Sequence, residues 1–386
     1  MSLLIYHYFS LAAFTAVLVV IALSNWRTLR RLSSYGDPTR WLRVSVLIPA
    51  RNEEANIGPC VRSFLAQEYP DLEVIVLNDH STDRTGAILA ELQAADARLR
   101  VLSGQELPEG WFGKHWACHQ LGQAATGDLL LFTDADTRHG SRSVRSGVAA
   151  LQAEDADLVT AIPREEIVTW AEKLAVPLVM QFGTFAFLPL ALAYRLKSPT
   201  LSTAIGQYML FRKEAYAAIG GYAAVRQAAV DDLTLGRLTV ACHRRWRMAD
   251  ATREVSCRMY QNSRQVFEGF GKNLFAGFDY RLLPTVIAWL WLSIVFVQPL
   301  LTLLSALAGV QIAPLMLTFA AIQVVLALTL FGLFYLRFEL PLYLTFCYPL
   351  TVLMGATLAF RSIFLTLRGR STWKGRTLLK PKVRLW

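Results

Sequence analysis

The stretch DLLLFTDAD, residues 128–136, is a short apolar run that ends in two carboxylates two positions apart. A run of this length bounded by polar residues is typical of a strand buried on both faces in the middle of a parallel sheet. Because residues i and i+2 of an extended chain point the same way, Asp134 and Asp136 are predicted to converge beyond the carboxyl end of the strand. A hard divalent cation would relieve their repulsion and could also hold a diphosphate. The alternative is a polar turn after a core strand.

The composition favours a membrane protein. Hydrophobic residues make up 54% of the 386 residues and charged residues only 18%, which is too apolar for an ordinary soluble protein. The net charge is +10, and the basic residues cluster beside apolar segments without forming an arginine-rich stripe with interleaved aromatics. We therefore expect a membrane, and no nucleic acid, as partner. The five cysteines form no Cys-x-x-Cys pair, so neither a zinc site nor a disulfide framework is indicated.

The N-terminus is predicted to be a transmembrane anchor over residues 1–26. Residues 3–23 are almost continuously apolar and about long enough to span a bilayer. No basic residue precedes them, which disfavours a cleaved signal peptide, although that remains the alternative. Arg27, Arg30 and Arg31 follow, and the positive-inside rule then places the next domain in the cytoplasm.

Strands alternate with helices in the next part of the chain. Apolar runs predict strands within residues 44–54, 72–79 and 100–102, with helices near 56–67, 81–94 and 115–125. This alternation predicts an α/β fold with a mostly parallel, Rossmann-like sheet and right-handed crossovers. The strand ends would bring residues 51–53, Asp79 and the two acids at 134 and 136 to one edge, as a cleft of nucleotide size.

Several motifs in this region resemble glycosyltransferase family 2, the inverting enzymes of the GT-A fold. VSVLIPARNEE (44–54), VIVLNDHSTDRT (74–85) and LLLFTDAD (129–136) resemble the three opening motifs of the family. GQYMLFRKEAYAAIGGY (206–222) and VDDLTLGRL (230–238) resemble its later motifs. LPEGWFGKHWACHQL (107–121) resembles a variant of membrane-bound members associated with carotenoids and hopanoids. The resemblance covers residues 44–277 and implies a GT-A catalytic domain over 40–280.

The resemblance implies a UDP-sugar donor and a divalent cation, Mg²⁺ or Mn²⁺. Asp136 is the implied metal ligand, with Asp134 beside it on the metal or the ribose. Asp79 is implied to contact the uracil edge, because a carboxylate can accept a ring N–H. The implied wall of the base site follows the first strand and consists of Pro49, Ala50, Arg51 and Glu53.

Cationic groups should stabilise the charge that develops on a departing diphosphate. Lys114, in a Gly-Trp-Phe-Gly-Lys loop, is predicted to neutralise phosphate, with a solvated surface lysine as the alternative. His139 lies three residues beyond Asp136 and is either a metal ligand or, as we expect, a loop histidine.

Direct displacement at the anomeric carbon needs a base for the acceptor hydroxyl. The resemblance assigns this role to Asp232, with Asp231 as the supporting acid. The alternative is a pair of acids favoured at a helix N-terminus by the helix dipole, and both can hold together.

A further motif differs from the one found in the family's polymer-forming members. These carry Gln-x-x-Arg-Trp, whereas here Gln261 and Arg264 are followed by Gln265 in place of the Trp. The missing Trp favours addition of one sugar over growth of a polymer. Gln261 is predicted on the acceptor side, and Arg264 is predicted to reach the diphosphate or to be a surface arginine.

Further apolar segments complete the predicted organisation. Residues 174–196 and 266–280 are expected to lie at the membrane surface. Three long apolar stretches, 282–310, 312–336 and 338–360, predict a C-terminal membrane region over residues 281–361. The basic tail, 362–386, should be cytoplasmic, yet three full spans would place it outside, so Phe338–Phe360 is predicted to be re-entrant or interfacial.

These features predict an integral membrane glycosyltransferase of a bacterial-type cell membrane with a cytoplasmic catalytic domain. The predicted reaction moves one sugar from a UDP-sugar to a hydroxyl or carboxyl of a carotenoid- or hopanoid-type or other isoprenoid lipid. A polyprenyl phosphate or a diacylglycerol is the alternative acceptor. Two further functions stay open at this point, that of a processive polysaccharide synthase and that of a nonenzymatic membrane scaffold.

Overall fold

A computed structural model of the chain describes residues 2–369, 372–373, 376–377 and 381–386. It divides into two compact units. The sheet unit consists of Leu29–Glu166 and Leu190–Met259, and the helix unit consists of Met1–Thr28, Ile167–Pro189 and Tyr260–Trp386.

The strands in the described residues are β1 Val44–Ala50, β2 Leu72–Asn78, β3 Leu99–Ser103, β4 Leu129–Phe132, β5 Thr137–His139, β6 Leu158–Ile162, β7 Arg164–Glu165, β8 Met209–Arg212, β9 Trp246–Asp250, β10 Val255–Cys257, β11 Thr372–Trp373 and β12 Arg376–Thr377. The α-helices are α1 Ser2–Thr28, α2 Ile57–Leu65, α3 Thr85–Ala95, α4 Gly113–Ala124, α5 Ser143–Ala153, α6 Trp170–Pro177, α7 Gly183–Phe187, α8 Leu190–Leu196, α9 Lys213–Ala218, α10 Gly221–Ala224, α11 Asp231–Ala241, α12 Ser263–Ala276, α13 Leu282–Leu307, α14 Pro314–Arg337 and α15 Tyr348–Leu367.

The sheet unit is built on a seven-stranded sheet in the order β3-β2-β1-β4-β8-β6-β9. β1 pairs in parallel with β2 and β4, and β6 pairs in parallel with β9. β8 runs antiparallel to both β4 and β6, so the sheet is mixed but mostly parallel. The α/β fold predicted from the alternation of strands and helices is therefore confirmed.

β4 has the predicted limits and lies at the centre of the sheet. Its four residues, Leu129–Phe132, are all buried, as expected for a strand covered on both faces. The pairing of Val44 with Leu129 and of Val44 with Leu72 aligns β4, β1 and β2. Their carboxyl ends therefore meet at one edge of the sheet, where the loops that carry the predicted site residues begin.

A small second sheet, in the order β5-β10-β7, follows directly from the acidic motif. β5 begins at Thr137, and Cys257 of β10 pairs with Thr137 on one side and with Glu165 of β7 on the other. Ala135 and Asp136 form a turn between β4 and β5. The strand-like alternation of side chains is therefore interrupted between Asp134 and Asp136.

Among its described residues, the helix unit contains four helical segments that are long and apolar enough to cross a membrane: Leu3–Thr28, Leu282–Leu307, Pro314–Arg337 and Leu342–Leu367. Polar side chains link them internally, since Gln323 Nε2 donates to Thr15 Oγ1 and to the carbonyl of Val295. Hydrogen bonds of this kind hold helices together in lipid. These segments indicate association with a membrane, as predicted.

The predicted interfacial segment 174–196 is broken in the structure. α6 leads through a π-helical turn, Leu178–Phe182, into α7, and Leu188 leaves the helical conformation before Pro189. The side chain of Asn25 in α1 donates to the carbonyls of Phe185 and Leu188, which the broken helix leaves without partners. The location of this segment at a membrane surface stays a prediction, as does that of 266–280, most of which lies in α12.

The segment predicted to be re-entrant or interfacial, Phe338–Phe360, is helical over most of its length, and its placement in a membrane stays a prediction. A 3₁₀-helix, Leu342–Cys347, leads into α15, which continues without reversal to Leu367. Pro349 lies in the first turn of α15, where a missing N–H costs nothing, so it does not break the helix. The predicted tail residues Arg370, Lys374 and Lys380 lie outside the described residues.

Candidate active site

One end of the sheet edge joins the loops that follow β1 and β2. Arg51 Nη1 donates to the carbonyl of Asp79 at 2.8 Å and to its Oδ2 at 3.4 Å. The backbone N–H of Asn52 donates to Ser81 Oγ, and the Asn52 side chain accepts from the N–H of Thr82. We call this the Arg51–Asp79 end. Its loops are fixed by direct hydrogen bonds.

The other predicted wall residues differ in exposure. Pro49 is half-buried near the end of β1, and Glu53 is half-buried beyond it. Ala50 packs into the hydrophobic core, and its carbonyl accepts from the N–H of Asp79. Ala50 therefore supports the edge through its backbone, while its side chain does not line it.

The other end of the edge gathers one lysine and three acids, Lys114, Asp134, Asp231 and Asp232, which we call the Lys114 cluster. Lys114 Nζ lies 2.7 Å from Asp134 Oδ1 and 3.7 Å from Asp231 Oδ2. Lys114 was predicted in a loop, but α4 begins at Gly113 and holds it in the first turn. The alternative of a solvated surface lysine is therefore wrong.

Gly206 forms the floor between these groups. Its N–H donates to Asp232 Oδ2 at 2.8 Å. A Cβ added to Gly206 would lie 3.2 Å from Asp232 Oδ2, 3.5 Å from Asp134 Oδ2 and 3.6 Å from Lys114 Nζ. The three side chains thus surround one small space. Sequence reasoning gave Gly206 no role, although it opens the GQYMLF motif.

The pKa values of the two neighbouring acids of α11, Asp231 and Asp232, are shifted in opposite directions. Burial alone would raise the pKa of Asp231, but the charges of Lys114 and His115 outweigh it and lower that pKa to about 2. Burial and the charge of Asp231 raise the pKa of Asp232 to about 7. Asp231 is therefore a fixed anion, whereas Asp232 can take up and release a proton near neutral pH.

Two residues that sequence reasoning missed hold Asp231 in place. Tyr222 donates its hydroxyl to Asp231 Oδ2 at 3.2 Å, and His115 Nε2 lies 3.9 Å from Asp231 Oδ1. Both lie within the family-like motifs, but nothing in their spacing connects them to Asp231. The two acids occupy the first turn of α11, as the alternative predicted, and they also belong to the Lys114 cluster, while the role of Asp232 as the base stays a prediction.

Asp136 lies close to Asp134 but points into different surroundings. Its Oδ1 is enclosed and has no hydrogen-bond partner among the described residues. Burial, followed by the charges of Asp134 and Glu53, raises the pKa of Asp136 to about 7. Glu165 is also buried, and burial together with the charge of Asp136 raises its pKa well above the usual value. This concentration of unneutralised acids fits a cation.

The described residues contain no group of three or more His, Cys, Asp and Glu side chains arranged to hold a metal ion. A cation bound by Asp134 and Asp136 would therefore need oxygen ligands from water or from a bound diphosphate, as Mg²⁺ usually does. The donor set fits such a shared site and does not fit a closed protein cage.

His139 is neither exposed nor in a loop. It lies in β5, its ring 4.1 Å from that of Phe64, and its Nε2 is 3.1 Å from Thr137 Oγ1. Burial lowers its pKa to about 3. The expectation of a loop histidine is wrong, and the side chain is a neutral core residue with hydroxyl partners.

Gln261 and Arg264 belong to the helix unit, next to the start of α12. The exposed Arg264 pairs with Glu268 one turn later at 2.7 Å, and the backbone N–H of Gln261 donates to Gln265 Oε1. Their contacts with the diphosphate and the acceptor stay predictions.

The seven-stranded, mostly parallel sheet together with the long apolar helices places this chain in the GT-A fold class, with candidate membrane helices. The family model described as "Glycosyl transferase family 2" matches residues 45–220. This match spans less than half of the chain and agrees with the resemblance to glycosyltransferase family 2 that the motifs indicated.

Two curated relatives are 4,4'-diaponeurosporenoate glycosyltransferases. That of Staphylococcus haemolyticus (strain JCSC1435) is 28% identical over 241 residues, which is 61% of each chain. That of Staphylococcus aureus (strain MRSA252) is 28% identical over 261 residues, covering 65% of this chain and 66% of the relative. The alignments thus span less than two thirds of the curated relatives.

The fold is also found in a solved structure, the mannosyltransferase PcManGT from Pyrobaculum calidifontis in complex with GDP-Man and Mn²⁺. The similarity has a TM-score of 0.56 at 16% identity and covers 94% of this chain and 99% of that one. It confirms the predicted GT-A fold with apolar helices at both ends.

Proposed function

We propose that this enzyme transfers a single sugar from a UDP-sugar to a hydroxyl or carboxyl of a membrane lipid, with inversion at the anomeric carbon. The observation that carries the proposal is the Lys114 cluster around Gly206. In this cluster Lys114, the proposed metal ligand Asp134 and the proposed base Asp232 surround one small space. The arginines after α1 favour a cytoplasmic location of the sheet unit in a cell membrane.

The donor would extend along the sheet edge. Asp79 would accept an N–H from uracil at the Arg51–Asp79 end, and Lys114 would lie against the diphosphate. Lys114 is now paired with Asp134 at 2.7 Å, so its charge is already held at the required place. Phosphate oxygens could share this charge without movement of the helix that carries it.

Asp136 and Asp134 would hold Mg²⁺ or Mn²⁺ together with diphosphate oxygens. When bound, the ion would stabilise the negative charge on the departing diphosphate. The enclosed Oδ1 of Asp136, which has no hydrogen-bond partner among the described residues, supports this role.

Asp232 would act as the base. The acceptor oxygen attacks the anomeric carbon on the side opposite the diphosphate, the new C–O bond forms as the old one breaks, and Asp232 takes the hydroxyl proton. A raised pKa suits a base that works near neutral pH. Asp231, paired with Lys114, would keep that pKa high and hold Lys114 toward the donor.

The acceptor is proposed from the relatives and the helices together. The two curated relatives are named for a carotenoid acid, 4,4'-diaponeurosporenoate, and the four apolar helices favour an acceptor that resides in a membrane. Gln265, where polymer-forming members carry Trp, favours one transfer over many.

The test is incubation of the purified enzyme with labelled UDP-sugars, with GDP-mannose as comparison, in the presence of a total lipid extract. We expect mass analysis to find one lipid that carries one hexose from a UDP-sugar, and we expect EDTA to abolish its formation. Transfer from GDP-mannose alone would contradict the donor assignment. A long polymer would identify a processive synthase, and no transfer or hydrolysis with any donor would identify a scaffold.

A further inference from the structure

The helix unit contains a groove that the proposed reaction does not use. A cavity of about 600 Å³ lies beside the last turns of α1, against α14. Val20 and Leu23 of α1 and Leu333 of α14 line its apolar part, while Ser24, Trp26 and Arg27 line its polar part.

The polarity of this groove changes along α1 as it does across the surface of a bilayer. At a rise of about 1.5 Å per residue, Val20 and Arg27 are about 10 Å apart along the helix axis. This distance is sufficient to cross the polar region of one leaflet, which is about 5–8 Å thick. Val20 is 65% exposed and Leu23 is 49% exposed, so the lower part of the groove offers uncovered apolar surface to an acyl chain.

The charge at the upper end is positive. Arg27 is exposed, and none of the described acids forms an ion pair with it. The Trp26 ring at this end is held from behind by the buried Arg337, whose guanidinium lies 5.8 Å from the ring centre. A zwitterionic head group would bring its own cation beside Arg27, whereas an anionic one would be attracted without that opposition.

We propose that this groove is a binding site for an anionic phospholipid of the surrounding bilayer. Its phosphate would lie on Arg27, beside the Ser24 hydroxyl and the Trp26 indole, and its first acyl carbons would lie on Val20, Leu23 and Leu333. A soluble phosphate would leave the apolar half uncovered. The inference depends on α1 and α14 lying in a membrane and is independent of the sugar transfer.

The test uses quenching of Trp26 fluorescence in phosphatidylcholine nanodiscs that contain a minor fraction of lipid with brominated acyl chains. The Trp26 contribution is the difference between the full-length protein and its Trp26→Phe variant. We expect brominated phosphatidylglycerol to quench this contribution about fivefold more effectively than brominated phosphatidylcholine at equal fraction, since one arginine attracts an anionic lipid by about that factor. Equal quenching by the two lipids, or no Trp26 contribution to quench, would overturn the proposal.

Two variants separate charge from space. Arg27→Gln should abolish the preference for phosphatidylglycerol, while Arg368→Gln, the same change at the exposed end of α15, should retain it. Ser24→Leu keeps the charge but fills the groove, so it should reduce quenching by both lipids. Thermal unfolding in the same nanodiscs checks that each variant is folded. A preference that survives Arg27→Gln, or displacement of the lipid by free glycerol phosphate, would contradict a lipid site at this place.

Discussion

The two ends of the sheet edge hold similar residues in different ways. At the Arg51–Asp79 end, backbone groups take part in most of the hydrogen bonds, as where Arg51 donates to the carbonyl of Asp79. At the Lys114 cluster, charged side chains face each other across a small space beside Gly206, which has no side chain. Burial and the charge of Asp231 raise the pKa of Asp232 to about 7. The first arrangement suits recognition by a rigid surface, and the second suits a reaction in which charge moves. Mutations at the two ends should therefore affect different kinetic constants.

The largest difference is expected from Asp232→Asn. Without a proton acceptor, kcat should fall by about 10²–10⁴-fold, while KM for the donor should change little. Steady-state transfer assays at varied UDP-sugar concentration measure both constants, with Asp71→Asn, an exposed acid outside the cluster, as the control. A loss below about tenfold would show that the acceptor is not a hydroxyl but a group that needs little deprotonation, such as a carboxylate or a phosphate.

The pH dependence should report the same residue. Because the pKa of Asp232 is raised to about 7, its basic form is lost as pH falls below that value. The rate should then decrease about tenfold per pH unit and should level off above pH 7. Asp231→Asn removes the repelling charge and should move the midpoint to lower pH. A rate that is unchanged across this range would contradict Asp232 as the base.

Gly206→Ala tests whether the space within the cluster is needed. The added methyl group would lie 3.2 Å from Asp232 Oδ2, and kcat/KM should fall by about tenfold because the acid or the substrate must shift. Gly183→Ala is the matched control, since a Cβ there meets nothing within 4 Å. Equal activity of the two variants would indicate that no substrate atom enters this space.

The smallest effect is expected at the other end. Asp79→Asn should raise KM for the donor by about fivefold, the value of one hydrogen bond, and should leave kcat nearly unchanged. Binding of UDP measured by calorimetry should weaken by the same factor. A fall in kcat without a change in KM would place Asp79 in the transfer step and would remove the distinction between the two ends.

The sequence predicted β4 to the residue because an uninterrupted apolar run can only be covered on both faces. It also predicted the edge on which Asp79, Asp134 and Asp232 lie, since strand ends and helix starts follow from local patterns. The i, i+2 argument for Asp134 and Asp136 assumed an extended chain, whereas Ala135 and Asp136 form a turn. The shared metal-binding role of the two acids stays a prediction.

Local sequence patterns could not identify residues whose contact partners are distant in the chain. Nothing near Tyr222 or His115 in the chain indicates that both approach Asp231, and His139 differs from a loop histidine only through the strand pairing that buries it.

The two hydrogen bonds from Asn25 have a practical meaning for anyone who would purify this enzyme. They supply hydrogen-bond donors to the carbonyls of Phe185 and Leu188, and an apolar solvent contains no donor that could replace them. A shortened version that lacks the first 28 residues, made to simplify expression, would leave these oxygens bare in detergent or lipid. The helix α1 is therefore an integral part of the fold of the helix unit, and it should be retained in any preparation intended for assay.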